Sequence, residues 1–324
     1  MLHNRGRVSK ETEERIRSII KQLDYKPNIF AKNLKLAKTF TFGVIMPKPY
    51  QDSRYWFLPI KGIEKAMNEL SQQRIQIKYF FYDKYSQHFI NRVGRSILHS
   101  SLDGLLIAPV VTKVFEKLIR DIPKNIPYVF FDSIIPEADY ISYIGQDSFQ
   151  SGILSAKLMH MLVKQKGTIV ILRVLPEDIH IDDRVNGFLT YYKTFPGIAT
   201  KVYEIDGNKR QDIRNTIFGK MIAENKDLKG IFVTNASTHL VAEFLQSRSG
   251  PKDIYIIGYD LVKDNIKYLK EGGIDCLISQ QSEKQGYEGL YALYRHAVLK
   301  EQVPKNIMMQ IDIVLPENID YYHI

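Results

Sequence analysis

The chain has 324 residues, 44% of them hydrophobic, which suits two ordinary domains or a small module plus two and excludes a chain disordered throughout. Forty-five Lys and Arg against 36 Asp and Glu give a formal net charge of +9, while no apolar run approaches the roughly 18 residues that cross a bilayer. Arg5, Arg7, Lys10, Glu11, Glu13 and Glu14 stand where a signal peptide would need its apolar stretch, and the single cysteine, Cys276, excludes an intramolecular disulfide. A cytoplasmic protein with no membrane partner and a small, buried Cys276 is expected.

The positive charge is concentrated at the front. Residues 1–40 hold ten Lys and Arg against four Asp and Glu, and the other 284 residues hold 35 against 32. Such a segment suits a polyanion, although charge runs more often form a solvated helix face. Ser9 is a good N-cap for a first helix, acids fill its first turn, and Ile16, Ile19, Ile20 and Leu23 fall at helical spacing. Tyr25-Lys26-Pro27 ends it, and a second helix is expected from about 28 to 36. That helix is marginal in water on its length alone. It carries Lys26, Lys32, Lys35 and Lys38 in and around it and has no obvious partner for Phe30 and Leu34, so it should order only on binding something.

From Thr39 strands and helices alternate. FTFGVIMP, IQIKYFF, GLLIAP, PYVFFD, GTIVIL, TKVYEI, GIFVT, DIYIIGYD and IDCLIS read as short apolar strands. Helices are expected between them, at GIEKAMNELSQQ, at SQHFINRVGRSILHS, and near 112–120, 149–165, 182–193, 210–224, 237–247 and 262–271. The alternation means parallel sheets covered on both faces, and some ten strands are more than one sheet holds comfortably. Two doubly wound α/β lobes are the economical arrangement.

In doubly wound folds ligands bind beyond the carboxyl ends of the strands. Asp132, Arg184, Asn235, Asp260 and Gln280 fall at or just after such ends, and their forked polar groups suit a hydroxylated ligand. Any one of them taken singly is more simply a cap for the next helix. No P-loop, G-x-S-x-G, H-E-x-x-H or paired-cysteine motif is present, so no enzyme and no cofactor is expected. His180, Asp182 and Asp183 in DIHIDD could be imagined around a metal. One short cluster ahead of a helix more often serves capping and solvation, and no metal is expected.

Together these features resemble the LacI/GalR family of bacterial repressors, from His3 to the C-terminal strand. NRGRVSKETEERIRSIIKQLDYKPNIFAKNLK is similar to the end of that family's DNA-binding headpiece, with Val8-Ser9, Tyr25, Pro27-Asn28, Ala31 and Leu34 at matching spacing. TFTFGVIMP, SLDGLLIAP, IPYVFFD, IIGYD, Gln280 and QGYEGL match the body. The resemblance implies a type I periplasmic-binding-protein-like α/β fold: two lobes, three crossovers, and a small helical headpiece remnant with a hinge helix. The expected divisions are 1–38 for the headpiece and hinge, 39–148 plus 281–306 for the N-terminal lobe, and 149–280 plus 307–324 for the C-terminal lobe.

The resemblance also implies roles. Leu34 would wedge into the minor groove at the operator centre, Asn28, Ala31 and Lys35 would lie along it, and Ser9 and Thr12 would contact phosphates. Tyr55, Trp56, Asp132, Arg184, Asn235, Asp260 and Gln280 would contact a sugar or sugar-like effector. For Trp56, the only tryptophan, stacking on a sugar and packing in the core are equal readings. The family pattern usually has Asn-Asp where this chain has Asn235-Ala236, and its helix-turn-helix precedes the position matched by Met1. The natural polypeptide is therefore expected to begin upstream. The implied partners are operator DNA, the effector and a second copy in a homodimer. A sugar-binding protein with no DNA-binding role is the alternative.

Overall fold

A computed structural model describes residues 11, 14, 15, 18, 38–164, 166–176, 178–195, 197–208, 211–247 and 253–322. The chain divides into two units, 1–39 and 40–324. In the first, Glu11, Glu14, Arg15 and Ser18 are helical and exposed. Their spacing of i, i+3, i+4 and i+7 makes one polar face, opposite the one expected from Ile16, Ile19 and Ile20.

The second unit contains two six-stranded sheets. The first uses β1 (Phe40–Pro47), β2 (Ile75–Tyr82), β3 (Gly104–Ile107), β4 (Tyr128–Phe131), β5 (Ser142–Gly145) and β11 (Asn306–Met308), in the order β11-β5-β4-β3-β1-β2. The second uses β6 (Gly167–Leu175), β7 (Ile198–Asp206), β8 (Leu228–Val233), β9 (Tyr255–Tyr259), β10 (Cys276–Ser279) and β12 (Asp312–Val314), in the order β12-β10-β9-β8-β6-β7. All pairings are parallel except β10 with β12. Parallel neighbours need crossover helices, and nine helices supply them among the described residues. They are α1 (Phe57–Glu69), α2 (Gln87–Leu98), α3 (Thr112–Asp121), α4 (Ser148–Val163), α5 (Ile179–Tyr192), α6 (Gln211–Glu224), α7 (Thr238–Ser247), α8 (Lys263–Lys270) and α9 (Ser282–Ala297).

Strand periodicity explains the layers. Along β1, Phe42, Val44 and Met46 enter one core with Ile63 and Ala66 of α1 and Leu290 and Leu293 of α9. Ile45 points the other way, to Phe115 and Leu118 of α3. Along β6, Val170, Leu172 and Val174 meet Met221 of α6 and Val241 of α7, while Ile169 and Ile171 meet Met159 of α4 and Phe188 of α5. Both faces of each sheet are thus dry, as parallel sheets require. Cys276 is buried in the last of these cores, which pushes its thiol up to about 12.

The expected architecture of two parallel α/β lobes is the one found, with differences in detail. The helix expected at 62–73 starts at Phe57, and α9, β5, β11 and β12 had no counterpart among the elements read along the chain. The lobes join through three crossovers, at 145–148, 279–282 and 308–312, each passing from a strand of one sheet to an element of the other lobe.

Candidate functional site

The carboxyl ends of both sheets face one narrow cleft. Tyr55, Trp56, Asp132, Arg184, Asn235, Asp260 and Gln280 all line the same cavity there, so the structure brings together every effector-contacting candidate read from the sequence. The enclosed space is about 30 Å³, room for one water but far below the few hundred Å³ that a small ligand occupies. The lobes stand close enough for Ser133 Oγ of one to donate to Asp178 Oδ1 of the other at 2.7 Å, and a ligand of that size needs them further apart.

Two aspartates mark equivalent positions in the two lobes. Asp132 follows β4 and Asp260 follows β9, with φ of +66° and +72°. This left-handed backbone is rare for residues with a Cβ, and aspartate tolerates it better than most. Each amide still donates to the neighbouring strand, Asp132 N to Ile144 O at 3.1 Å and Asp260 N to Ile278 O at 2.9 Å. The turn throws each carboxylate into the cleft. Neither residue caps a helix: β5 follows Asp132, and Val262 is the N-cap of α8. Asn235 does serve its loop, since its Oδ1 accepts from Ser237 N at 3.0 Å just ahead of α7.

Arg184 is 1% exposed, on α5. Its Nη1 donates to Thr234 O at 2.8 Å, its Nη2 donates to Gln280 Oε1 at 2.9 Å, and its guanidinium lies 3.8 Å from the Tyr259 ring centre. Gln280 Nε2 in turn donates to both oxygens of Asp260, at 3.0 and 3.2 Å. Burial pushes Asp260 up to about 7, against the pull of Arg184 and Gln280. Asp132 is also raised, chiefly by burial, although Tyr55 Oη donates to it at 2.5 Å and the charge of His180 opposes the rise.

Trp56 is 2% exposed and does two things at once. Its ring packs in the core, edge-on to Tyr55 and Phe131, and also lines the cavity. Its indole donates to Asp52 Oδ2 at 2.8 Å. Asp52 also forms a buried ion pair with Lys84, whose pKa burial works to lower but which the charge and hydrogen bond of Asp52, with Tyr85 and Asp178, together raise. Asp52, Ser53 and Arg54 all have positive φ, an uncommon run for residues with side chains, and it holds this corner of the cleft.

Asp178 answers the question raised by DIHIDD. It caps α5, accepting from His180 N at 3.3 Å, and receives Ser133 Oγ from the other lobe at 2.7 Å. The His180 ring nitrogen Nδ1 lies 2.9 Å from Asp178 Oδ1 without hydrogen-bond alignment. Burial works to lower that imidazole, the carboxylates of Asp178 and Asp132 outweigh it, and the net shift is upward. Among the described residues no group of three or more His, Cys, Asp or Glu is arranged to hold a metal. No helix among them is long and apolar enough to cross a membrane.

Residues 42–301 match the model of the periplasmic binding protein domain. This chain belongs to that family. Among curated relatives of this periplasmic-binding-protein chain, the xylose/arabinose-binding protein XylF of Sulfolobus acidocaldarius is 25% identical over 241 residues, covering 68% of this chain and 58% of that protein. The ribose operon repressor of Lactococcus lactis is 22% identical over 326 residues, covering 97% of this chain and 90% of its own. A protein assigned as a LacI transcriptional regulator from Bacteroides fragilis superposes with a TM-score of 0.82 at 29% identity, covering 88% of this chain and all of that one.

Sequence reading missed several residues of the cleft. Lys84 follows the end of β2, so the strand-end rule would have found it. Asp52 and Ser133 carry no periodic signal. Asn265 is missed for the same reason: fully buried on α8, its Nδ2 faces the carbonyls of Ala236, Tyr259 and Asp260 at 2.8–3.0 Å, tying two cleft loops together. Ser9, Thr12, Asn28, Ala31, Leu34 and Lys35, the candidate DNA contacts, lie outside the described residues.

Proposed function

We propose that this protein is a transcriptional regulator that binds operator DNA as a homodimer under the control of a sugar or sugar-like effector held between its lobes. One observation carries the reading. The match to the ribose operon repressor covers 97% of the chain, whereas residues 40–324 make up only 285 of its 324 residues, so that likeness must continue into the basic segment ahead of the body. A sugar-binding body alone has no use for the surplus positive charge of residues 1–40, and DNA phosphates do.

The mechanism follows from two states of the body. A ligand that bridges Asp132 of one lobe and Asp260 of the other changes the equilibrium between open and closed lobes by the difference in its affinity for the two. Through the crossovers that change alters the spacing of two hinge segments in a dimer. On DNA, Leu34 would wedge between base pairs while Ser9, Thr12, Asn28, Ala31 and Lys35 line the backbone and groove. The effector set is Tyr55, Trp56, Asp132, Arg184, Asn235, Asp260 and Gln280. Repressors of this kind act in the cytoplasm, where we place the protein, and the chemistry needs no enzyme activity and no cofactor.

The second reading, a sugar-binding protein that never touches DNA, draws on the match to XylF, which covers 68% of the chain. The two readings separate in one experiment. The natural full-length polypeptide is selected against a random duplex library at low salt, with and without a panel of monosaccharides. Enrichment of a palindromic site whose affinity changes with one sugar is the expected result. Sugar binding with no duplex retained under any condition would leave the second reading in its place.

A further inference from the structure

A second concavity runs along the flank of the body, outside the cleft. It holds about 610 Å³ and shares no lining residue with the cleft cavity. That volume falls in the range of small-molecule sites. One wall belongs to the N-terminal lobe, with Arg54 in the turn before α1 and Phe57 and Lys61 on α1 itself. The other belongs to the C-terminal lobe, with Lys263 and Ile266 on α8. Between them Leu261, Val262 and Ile319 supply a buried apolar floor, and Phe57 stands 46% exposed above it.

The charges of this groove do not balance. Four cations and two carboxylates line it, and Lys270 closes on Asp320 at 2.5 Å. Arg54, Lys61 and Lys263 then stand against Asp264 alone. All three are exposed, and none takes part in an ion pair among the described residues. The surplus is local, because residues 41–324 hold 35 Lys and Arg against 32 Asp and Glu. A neutral sugar would leave the cations unanswered and offer the floor no apolar surface. A small inorganic anion would gain only the weak, salt-screened attraction of exposed charges. A ligand with an apolar body and an anionic group meets both features at once.

We propose that this flank groove is a second small-molecule site, taking an amphipathic organic anion whose charge bridges Lys61 of one lobe and Lys263 of the other. A ligand held by both walls favours the lobe spacing at which both reach it, so it acts on the lobe equilibrium from outside the cleft. This goes beyond the effector reading and depends on neither a sugar nor DNA.

The test uses the full chain and two fluorescent probes. Anilinonaphthalene sulfonate carries an apolar body and one anionic group, and phenylnaphthylamine is the same body without the charge. In fluorescence titrations the sulfonate should saturate about one site per chain and bind about tenfold more tightly than the uncharged probe, an advantage that should mostly vanish between about 0.05 M and 0.5 M salt. Lys61→Ala and Lys263→Ala should each weaken the sulfonate about threefold, and together about tenfold, with phenylnaphthylamine unchanged. Lys284→Ala, an exposed lysine outside the groove, should change neither probe. Saturating sulfonate should also slow hydrogen exchange at the crossovers 279–282 and 308–312, and should not do so in the double variant. Equal affinity for the two probes, a loss in neither lysine variant or in only one of them, or crossover exchange that ignores the sulfonate overturns the inference.

Discussion

Ser133 Oγ donates a hydrogen bond to Asp178 Oδ1 at 2.7 Å, and the two residues belong to opposite lobes. Ser133 extends the turn after β4 and Asp178 heads α5, so the bond exists only while the cleft is closed. A weaker hydroxyl contact, Ser53 Oγ to Ser237 Oγ at 3.3 Å, spans the lobes at the other side of the cavity. A hydrogen bond to a charged group is worth about 1.5 kcal/mol at the low end, which is roughly a tenfold change in the closed population. Ser133→Ala should therefore weaken the stabilising sugar about tenfold in calorimetry and enlarge the apo radius of gyration in X-ray scattering. Unchanged affinity and radius would mean the bond contributes nothing to closure.

Asp260 makes the stability of the apo body depend on pH. Its carboxyl is raised from 3.8 to about 7, so between those values the folded protein holds more protons than the unfolded chain. The stability it contributes is fully present below pH 4 and is lost as pH rises through 7. Asp132 and His180 are raised too and act with the same sign. Asp260→Asn cannot titrate, and the difference in melting temperature between it and the unsubstituted protein should grow in favour of the variant from pH 5 to pH 7.5. A difference that stays flat across that window would show that Asp260 is not destabilised by its burial.

Close helix crossings position the arginine. A Cβ on Gly152 of α4 would lie 2.2 Å from Arg184 O, and one on Gly187 of α5 would lie 2.0 Å from Phe149 O. The other lobe repeats the device: a Cβ on Gly62 of α1 would meet Glu283 O at 1.8 Å, and one on Gly286 of α9 would meet Pro59 O at 2.1 Å. In each case the obstacle is backbone, which has no rotamer to escape into. Gly152→Ala must therefore push α5 away and carry Arg184 off Gln280, at a cost of about 3 kcal/mol. Its melting temperature should fall by about 6 °C or more with loss of sugar binding. Gly272→Ala, where a Cβ meets nothing but φ is +74°, should cost only about 1 kcal/mol and leave binding intact.

Period and burial made the lobes legible. Runs such as FTFGVIMP and DIYIIGYD are apolar on both faces, and only a sheet covered twice needs that. β5, β11 and β12 were not, because SYIG, NIM and DIV are short and begin on polar residues, whereas equally short strands such as GLLI and YVFF stand out as unbroken apolar runs. In the cleft, Asp132, Arg184, Asn235, Asp260 and Gln280 were legible because they stand at or near strand ends, where a parallel sheet delivers its ligand contacts. Asp178 and His180 were visible as residues but not in their setting. Asp178 bonds Ser133, 45 positions away in the chain, and no local pattern encodes that meeting. The front segment was read from charge and capping grammar alone, and its cap and candidate contacts lie outside the described residues.

Gln146 joins all three crossovers with one amide. It sits in the first, and its Nε2 donates to Ser279 O in the second at 3.1 Å and to Gln310 O in the third at 2.8 Å. Gln281 adds a bond from its own Nε2 to Asp312 Oδ2 at 2.9 Å, so the second and third crossovers are also tied directly. Because the connections are held together at one point, Gln146 is expected to make the three crossovers move as one hinge rather than bend independently. Gln146→Ala removes the donor from two carbonyls at once, at a cost of about 2 kcal/mol, or roughly 5 °C in melting temperature. It should also loosen the hinge, which hydrogen exchange would register as faster exchange at 279–282 and 308–312 with the strands β3 and β8 unaffected. Exchange that speeds up evenly across both sheets would show that Gln146 supports the lobes themselves and has no special part in the hinge.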